Sequence, residues 1–148
     1  MPAIQRTAHS TWKGDLKSGK GTMKVGSGAW EGPYHFASRF ESAAGTNPEE
    51  LIGAAHAGCF SMALTAGLNK AGFQPRQVQT KATVHLEKLA EGFAITAIDL
   101  DSEADVPGID EATFQQHAEA AKTGCPVSKA LAAVEIRLKA RLGAGVTR

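Results

Sequence analysis

The sequence has almost no charge imbalance and very few cysteines. Its 16 basic and 15 acidic residues give a net charge of +1, so no overall field attracts nucleic acid or an anionic membrane. It contains no run of five like charges and no basic stripe interleaved with aromatic residues, so we expect no nucleic-acid partner. Two cysteines in 148 residues exclude a disulfide-rich scaffold. This length and a hydrophobic share of 43% predict a single globular domain over residues 1–148.

A secretion signal is also lacking, because the first fifteen residues contain no apolar run. We therefore expect a cytoplasmic protein, in which thiols stay reduced. A cysteine pair in that compartment is more often catalytic, redox-active or metal-binding than structural. The count of cysteines does not choose among these roles, and it leaves two inert buried thiols as an alternative.

Charge is absent from the longest apolar stretch, 51–68. Asn47, Pro48 and two glutamates precede it as helix start signals, and Gly72 is suited to end it. Apolar and small residues occur on all sides, which is typical of a helix that is buried all round or that spans a membrane. No aromatic belt or basic cluster flanks the stretch, so we expect a helix buried in protein and no membrane partner.

Strand patterns and one further helix surround this central helix. The strand patterns occupy 3–12, 22–26, 36–40, 77–87, 93–101 and 133–142. The second helix covers 110–123 and a short helical turn follows Pro126. The sequence thus predicts an α+β fold with a small N-terminal antiparallel sheet, a long buried central helix and a C-terminal ββαβ unit. We expect the last strand to complete a three-stranded antiparallel sheet. One small sheet cannot cover an apolar helix of six turns, so a second copy of the chain is expected.

The two cysteines differ in their local settings. Cys125 lies between Gly124 and Pro126 at a helix start, where backbone N–H groups favour a thiolate, and Lys129 follows one turn later. Cys59 has apolar neighbours, and burial raises the pKa of a thiol. Local sequence therefore favours Cys125 as the nucleophile, and Cys59 becomes reactive only if the fold brings a cation to it.

A zinc site, Glu49 and Arg39 are three further candidates for a functional role. A zinc site would combine His56, Cys59, His117 and Cys125, but no paired-ligand spacing supports it, and we expect neither metal nor cofactor. Glu49 is explained by the helix dipole alone. It precedes Cys59 by ten residues, or about 15 Å along a helix, so a role at Cys59 would require Glu49 of a partner chain. Arg39 is most simply a surface charge.

Several segments resemble the OsmC/Ohr family of hydroperoxide reductases, and most closely its OsmC branch. They are TNPEELIGAAHAGCFSMAL, GCPVSKAL, VPGID, PYHFASRFE, GFAIT and the hairpin GKGT. The resemblance runs over nearly the whole chain. It implies an OsmC-like domain in an intertwined homodimer that acts as a thiol-dependent peroxidase in oxidative and osmotic stress defence, with an external dithiol as reductant.

Mapped onto this chain, the resemblance implies a catalytic role for four residues. Cys59 corresponds to the peroxidatic cysteine and Cys125 to the resolving one, so the family overrules the local preference for Cys125. Arg39 would supply the missing cation and Glu49 would hold its guanidinium. Cys59 would become a sulfenic acid and then a disulfide with Cys125. Apolar neighbours such as Phe60 would favour organic hydroperoxides over hydrogen peroxide. The alternative is a non-catalytic OsmC-like protein that binds an apolar ligand.

Overall fold

A computed structural model describes residues 2–143 and has the predicted α+β class. Its contacts divide the chain into two compact units, the first ending at Leu51 and the second beginning at Ile52. Each unit is described by itself below. The single domain expected over 1–148 stays a prediction.

The first unit contains the small antiparallel sheet that the sequence predicts. Strands β1 (Ala8–Lys13), β2 (Lys20–Val25) and β3 (Glu31–Tyr34) pair in that order. The strand expected over 36–40 is wrong, because these residues form a short helix, α1 (Phe36–Phe40). The Ser38 hydroxyl accepts a hydrogen bond from the His35 backbone at 2.9 Å and donates to the Thr46 carbonyl at 2.8 Å. These local bonds favour a helical turn over an extended strand.

Helix α2 (Pro48–Lys70) begins and ends where the sequence predicts. The Asn47 side chain accepts a hydrogen bond from the Glu50 backbone N–H at 2.8 Å, which is N-cap geometry. At the other end Gly72 has a φ of 94°, and the Phe73 N–H donates to the Leu68 carbonyl at 2.9 Å. Among the described residues, α2 is the one helix with the length and composition to cross a membrane, a test that core helices of soluble proteins also pass.

Burial of α2 within the second unit is one-sided. His56, Phe60, Leu64 and Leu68 recur every four residues or so and are fully buried. Small residues and Met62, which is 76% exposed, occupy the opposite face. The expected burial on every side is therefore not reached within one chain. A second copy covering the exposed face stays a prediction.

The second unit adds a sheet and two more helices to α2. Its elements are β4 (Gln77–Leu89), β5 (Gly92–Asp105), α3 (Glu111–Gly124), α4 (Pro126–Ala130) and β6 (Glu135–Leu142). The strand order is β4-β5-β6, with β4 and β5 antiparallel as predicted. The pairing of β5 with β6 is parallel, so the expected all-antiparallel sheet is wrong. The reason is the connection, since a helical crossover returns the chain to the end of the sheet where β5 began.

An ion cluster links the three strands of this sheet on its exposed face. Asp99 accepts hydrogen bonds from Arg137 at 2.5 and 3.1 Å and pairs with His85 at 2.6 Å. These contacts, led by the Arg137 hydrogen bond, lower the pKa of Asp99 from 3.8 to about 2. A carboxyl with a depressed pKa in the folded state stabilises the protein above its unfolded pKa and loses that effect as the pH falls.

We expect Asp99→Asn to lower the free energy of unfolding at neutral pH, and the deficit relative to wild type to shrink between about pH 4 and pH 2. Urea denaturation at several pH values measures this. The double variant with Arg137→Gln should add little to Asp99→Asn, because both changes remove the same contact. A deficit that stays constant down to pH 2 would contradict the assignment.

Candidate active site

Arg39 and Glu49 form a two-point ion pair in the first unit. Nε of Arg39 lies 3.1 Å from one carboxylate oxygen of Glu49, and a terminal guanidinium nitrogen lies 2.8 Å from the other. Glu49 is 7% exposed, whereas 37% of the Arg39 side chain is exposed. A fork of two parallel hydrogen bonds fixes the plane of the guanidinium and uses two of its five N–H groups, so the others can bind an anion or oxygen.

The backbone around this pair is fixed by side-chain hydrogen bonds. The Asn47 amide donates to the Ser38 carbonyl at 3.1 Å, which ties α1 to the start of α2. The guanidinium carbon of Arg39 also lies 5.1 Å from the centre of the Phe40 ring, at cation–π distance. Arg39 is therefore a partly exposed charge that is held on two sides.

An apolar cavity of about 190 Å³ adjoins Arg39 in the same unit. Its lining includes Trp12, Leu16, Tyr34, Phe36, Phe40 and Arg39. Phe36 and Phe40 contact each other with ring centres 4.9 Å apart. A pocket with apolar walls and one cation suits a small molecule with an organic body and a polar end.

The two thiols are neighbours in the second unit, although 65 residues separate them in the sequence. Both cysteines are free. Cys125 is fully buried as the N-cap of α4, where its sulfur accepts a hydrogen bond from the Ser128 N–H at 3.3 Å. Cys59 is partly buried on α2, and it lies close enough to Cys125 for each thiol to shift the pKa of the other. The fold thus places two reduced sulfurs within reach of each other.

The two sulfurs have oppositely shifted pKa values. Burial is the largest cause that raises the pKa of Cys59, and the contact with Cys125 raises it further. Burial also raises the pKa of Cys125, but hydrogen bonds from Ser128, Cys59 and the Val127 backbone outweigh it and leave this pKa lowered. The groups within the second unit therefore favour a thiolate on Cys125, as local sequence does, and the peroxidatic role of Cys59 implied by the resemblance needs a further cation.

His56 is connected to Cys125 through the hydroxyl group of Ser128. Its Nε2 lies 2.7 Å from the Ser128 hydroxyl, and the Cys125 thiol donates to that same hydroxyl at 3.4 Å. Burial lowers the pKa of His56, which keeps its ring neutral near pH 7. Its Nδ1 has no hydrogen-bond partner among residues 2–143.

The four residues singled out from sequence thus form two pairs, Arg39 with Glu49 and Cys59 with Cys125, in different units. Sequence reasoning missed Ser128. Its place three residues after Cys125 is the spacing at which an N-cap accepts a backbone hydrogen bond, and that signal could have found the N–H contact. Within the described part of the chain, no cluster of three or more His, Cys, Asp or Glu side chains is arranged to hold a metal ion.

Comparison with known proteins places this geometry in context. The profile of a family described as OsmC-like protein matches residues 41–139. The Escherichia coli (strain K12) protein named peroxiredoxin OsmC is 54% identical over 140 residues, which cover 94% of this chain and 97% of that protein. The crystal structure of the organic hydroperoxide resistance protein OhrB of Bacillus subtilis is 25% identical with a TM-score of 0.65, covering 93% of this chain and 98% of that one. An OsmC-like protein of unknown function from Vibrio cholerae shares the fold, with a TM-score of 0.75 at 15% identity over 93% and 99% of the chains.

Proposed function

This chain belongs to the OsmC-like protein family, and from that premise we propose that it is a thiol-dependent peroxidase that reduces organic hydroperoxides. The names of the Escherichia coli peroxiredoxin and of the Bacillus subtilis hydroperoxide resistance protein support a peroxidase role. The observation that carries the proposal is the pair of free thiols of Cys59 and Cys125, which lie close enough for each to shift the pKa of the other. A binding protein for apolar ligands, the alternative function, needs neither thiol.

The proposed cycle begins at the half-buried sulfur. The Cys59 thiolate attacks the distal peroxide oxygen, the O–O bond breaks, and the alkoxide takes up a proton and leaves as an alcohol. Cys59 is then a sulfenic acid, and the adjacent Cys125 thiol condenses with it to give a disulfide and water. An external dithiol reduces the disulfide by exchange, which returns both thiols and leaves the reductant oxidised.

The cation that Cys59 needs is assigned to Arg39 of a second copy of the chain. Arg39 is held by Glu49, and ideal helix geometry puts Glu49 about 15 Å from the Cys59 of its own helix. In an intertwined homodimer the Arg39–Glu49 pair of one subunit would serve the Cys59 of the other. The exposed face of α2 around Met62 is the surface that such a dimer would cover. Residues 1–148 of each subunit would be a single OsmC-like domain.

Substrate class follows from the cavity beside Arg39. The aromatic walls around Phe36 and Phe40 would take up an organic tail while the guanidinium hydrogen-bonds the peroxide oxygens. Hydrogen peroxide has no tail to desolvate, so we expect weaker activity on it. The reaction needs only two thiols, a cation and a dithiol, so the proposed cycle uses no metal and no cofactor. We place the protein in the cytoplasm, where thiols stay reduced.

The proposal is tested by peroxide consumption with wild-type protein and dithiothreitol. We expect turnover of cumene hydroperoxide with kcat/KM at least about tenfold higher than for hydrogen peroxide, because burying one aromatic ring contributes about 1.5–3 kcal/mol. Phe36→Ala should narrow this preference while leaving turnover of hydrogen peroxide close to wild type. Absence of dithiol-dependent consumption of either peroxide would refute the proposed function.

A further inference from the structure

His56 is a fully buried histidine that the proposed peroxidase cycle does not use. It is connected to the resolving sulfur through one hydroxyl group. The Cys125 thiol donates to the Ser128 hydroxyl at 3.4 Å, and that hydroxyl lies 2.7 Å from Nε2 of His56. Cys125 and His56 are fully buried and Ser128 is 4% exposed, so the sulfur and the imidazole are out of contact with bulk water.

Disulfide formation requires the Cys125 thiol to lose its proton. A thiol attacks a sulfenic acid as the thiolate, and its proton must go to a base while the S–S bond forms. Because Cys125 is fully buried, solvent water does not reach the S–H group. The thiol donates to the Ser128 hydroxyl, which can pass a proton on but cannot hold it at neutral pH.

We propose that Ser128 and His56 form a proton relay that takes the thiol proton of Cys125 as this cysteine attacks the Cys59 sulfenic acid. Ser128 touches the reacting sulfur and moves the proton. His56 acts through Ser128 and is therefore a positioning residue that also stores the proton. This relay rests on the proposed peroxidase function, because without a sulfenic acid on Cys59 there is no step for it to serve.

The step balances without any further reactant. The S–O bond of Cys59 breaks, and an S–S bond forms to Cys125. The Cys125 sulfur is oxidised and the Cys59 sulfur is reduced. The hydroxide that leaves Cys59 takes up one proton and departs as water, so sulfenic acid plus thiol gives disulfide plus water. His56 holds the proton between these events and ends the step neutral.

The hydrogen bonds fit both protonation states of the relay. With Cys125 as a thiol, S–H donates to the Ser128 hydroxyl and that hydroxyl donates to Nε2 of His56. With Cys125 as a thiolate, the same two bonds reverse, and Nε2–H donates to the hydroxyl, which donates to the sulfur. Ser128 lowers the pKa of Cys125 through the second arrangement, and burial lowers the pKa of His56 so that its ring is neutral and able to accept.

The relay uses one nitrogen of the His56 ring, since Nε2 faces the Ser128 hydroxyl and Nδ1 has no hydrogen-bond partner among residues 2–143. The ring provides a neutral base at hydrogen-bond distance from a hydroxyl that touches the resolving sulfur. A base of this kind typically accelerates a proton-coupled step by about 10²–10⁴-fold.

The test separates the two oxidation steps in a single turnover. Reduced protein is mixed with one equivalent of cumene hydroperoxide and quenched at intervals. Sulfenic acid is trapped with dimedone and disulfide is measured by intact mass. We expect Ser128→Ala and His56→Gln to form the disulfide about 10- to 100-fold more slowly than wild type, while sulfenic acid forms within about twofold of the wild-type rate. Ser128→Thr keeps a hydroxyl and should restore disulfide formation.

Matched controls come from the same unit of the chain. Ser102→Ala removes another fully buried hydroxyl, and His117→Gln changes another helical histidine, so both should leave the two rates unchanged. If the relay variants form disulfide as fast as wild type, or slow both steps equally, the relay is wrong and the peroxidase proposal stands. If wild type itself forms neither sulfenic acid nor disulfide, the peroxidase proposal fails and the relay fails with it.

Discussion

Replacing Cys59 with serine is expected to abolish steady-state hydroperoxide turnover, lowering kcat/KM by about a thousandfold or more. The reason is chemical, because a serine hydroxyl remains protonated at neutral pH and cannot form the sulfenic acid through which oxygen leaves the peroxide. Consumption of cumene hydroperoxide in the presence of dithiothreitol measures the loss. Thermal unfolding should change little, since oxygen replaces one sulfur on a half-buried side chain.

Replacing Cys125 with serine is the matched control, because it makes the same exchange of sulfur for oxygen at the neighbouring position. With no external thiol and one equivalent of peroxide per subunit, this variant should consume that equivalent and stop at the sulfenic acid, because Cys59 then has no partner thiol. Excess peroxide should then oxidise Cys59 further to sulfinic acid. Intact mass after the burst distinguishes the two oxidation states.

This pair of variants shows whether Cys59 or Cys125 is the cysteine that attacks the peroxide. Inside the second unit, burial and hydrogen bonding raise the pKa of Cys59 and lower that of Cys125. The family resemblance assigns the peroxidatic role to Cys59. If Cys59→Ser consumes one peroxide per subunit and Cys125→Ser consumes none, the two roles are reversed and the local pKa values decide reactivity.

The sequence could predict the elements whose signals are local. Helix α2 was found from its caps, Asn47 and Gly72, and from a run of residues without charge. The β4–β5 hairpin was found from period-two alternation and a short turn. Such signals depend on residues within a few positions of one another, so the elements that they predict do not depend on the rest of the fold.

Parts that depend on distant residues could not be predicted in this way. Alternation along β6 shows which face is buried but not the direction of its neighbour, so the parallel pairing was missed. Phe36 and Phe40 are four residues apart, which is the spacing of one helical turn, and their rings are in contact. The apolar character of the segment favoured a strand instead, and that prediction was wrong. The approach of Cys125 to Cys59 and of Ser128 to His56 spans more than sixty residues in each case, and only the complete fold brings those atoms together.

Mixing two inactive variants is expected to restore activity if Arg39 acts across a dimer. Arg39→Ala alone should lower kcat/KM by about 10²–10³-fold, because the Cys59 pKa rises and the peroxide loses a charged donor. Co-expression with Cys59→Ser chains gives mixed dimers in which an intact Cys59 faces an intact Arg39 at one site. With random pairing, about a quarter of all sites are complete, so activity should recover to about a quarter of wild type.

A second mixture shows whether Arg39 and Glu49 act as one unit. The two side chains are paired within one chain at 2.8 Å, so they should be delivered together to the same Cys59. Glu49→Gln mixed with Cys59→Ser should therefore recover activity, whereas Glu49→Gln mixed with Arg39→Ala should not, because every mixed site then lacks one member of the ion pair. Recovery in that last mixture would separate the two residues into different sites. Absence of recovery in all three mixtures would place Arg39 at the Cys59 of its own chain, and the cation would then need no second subunit.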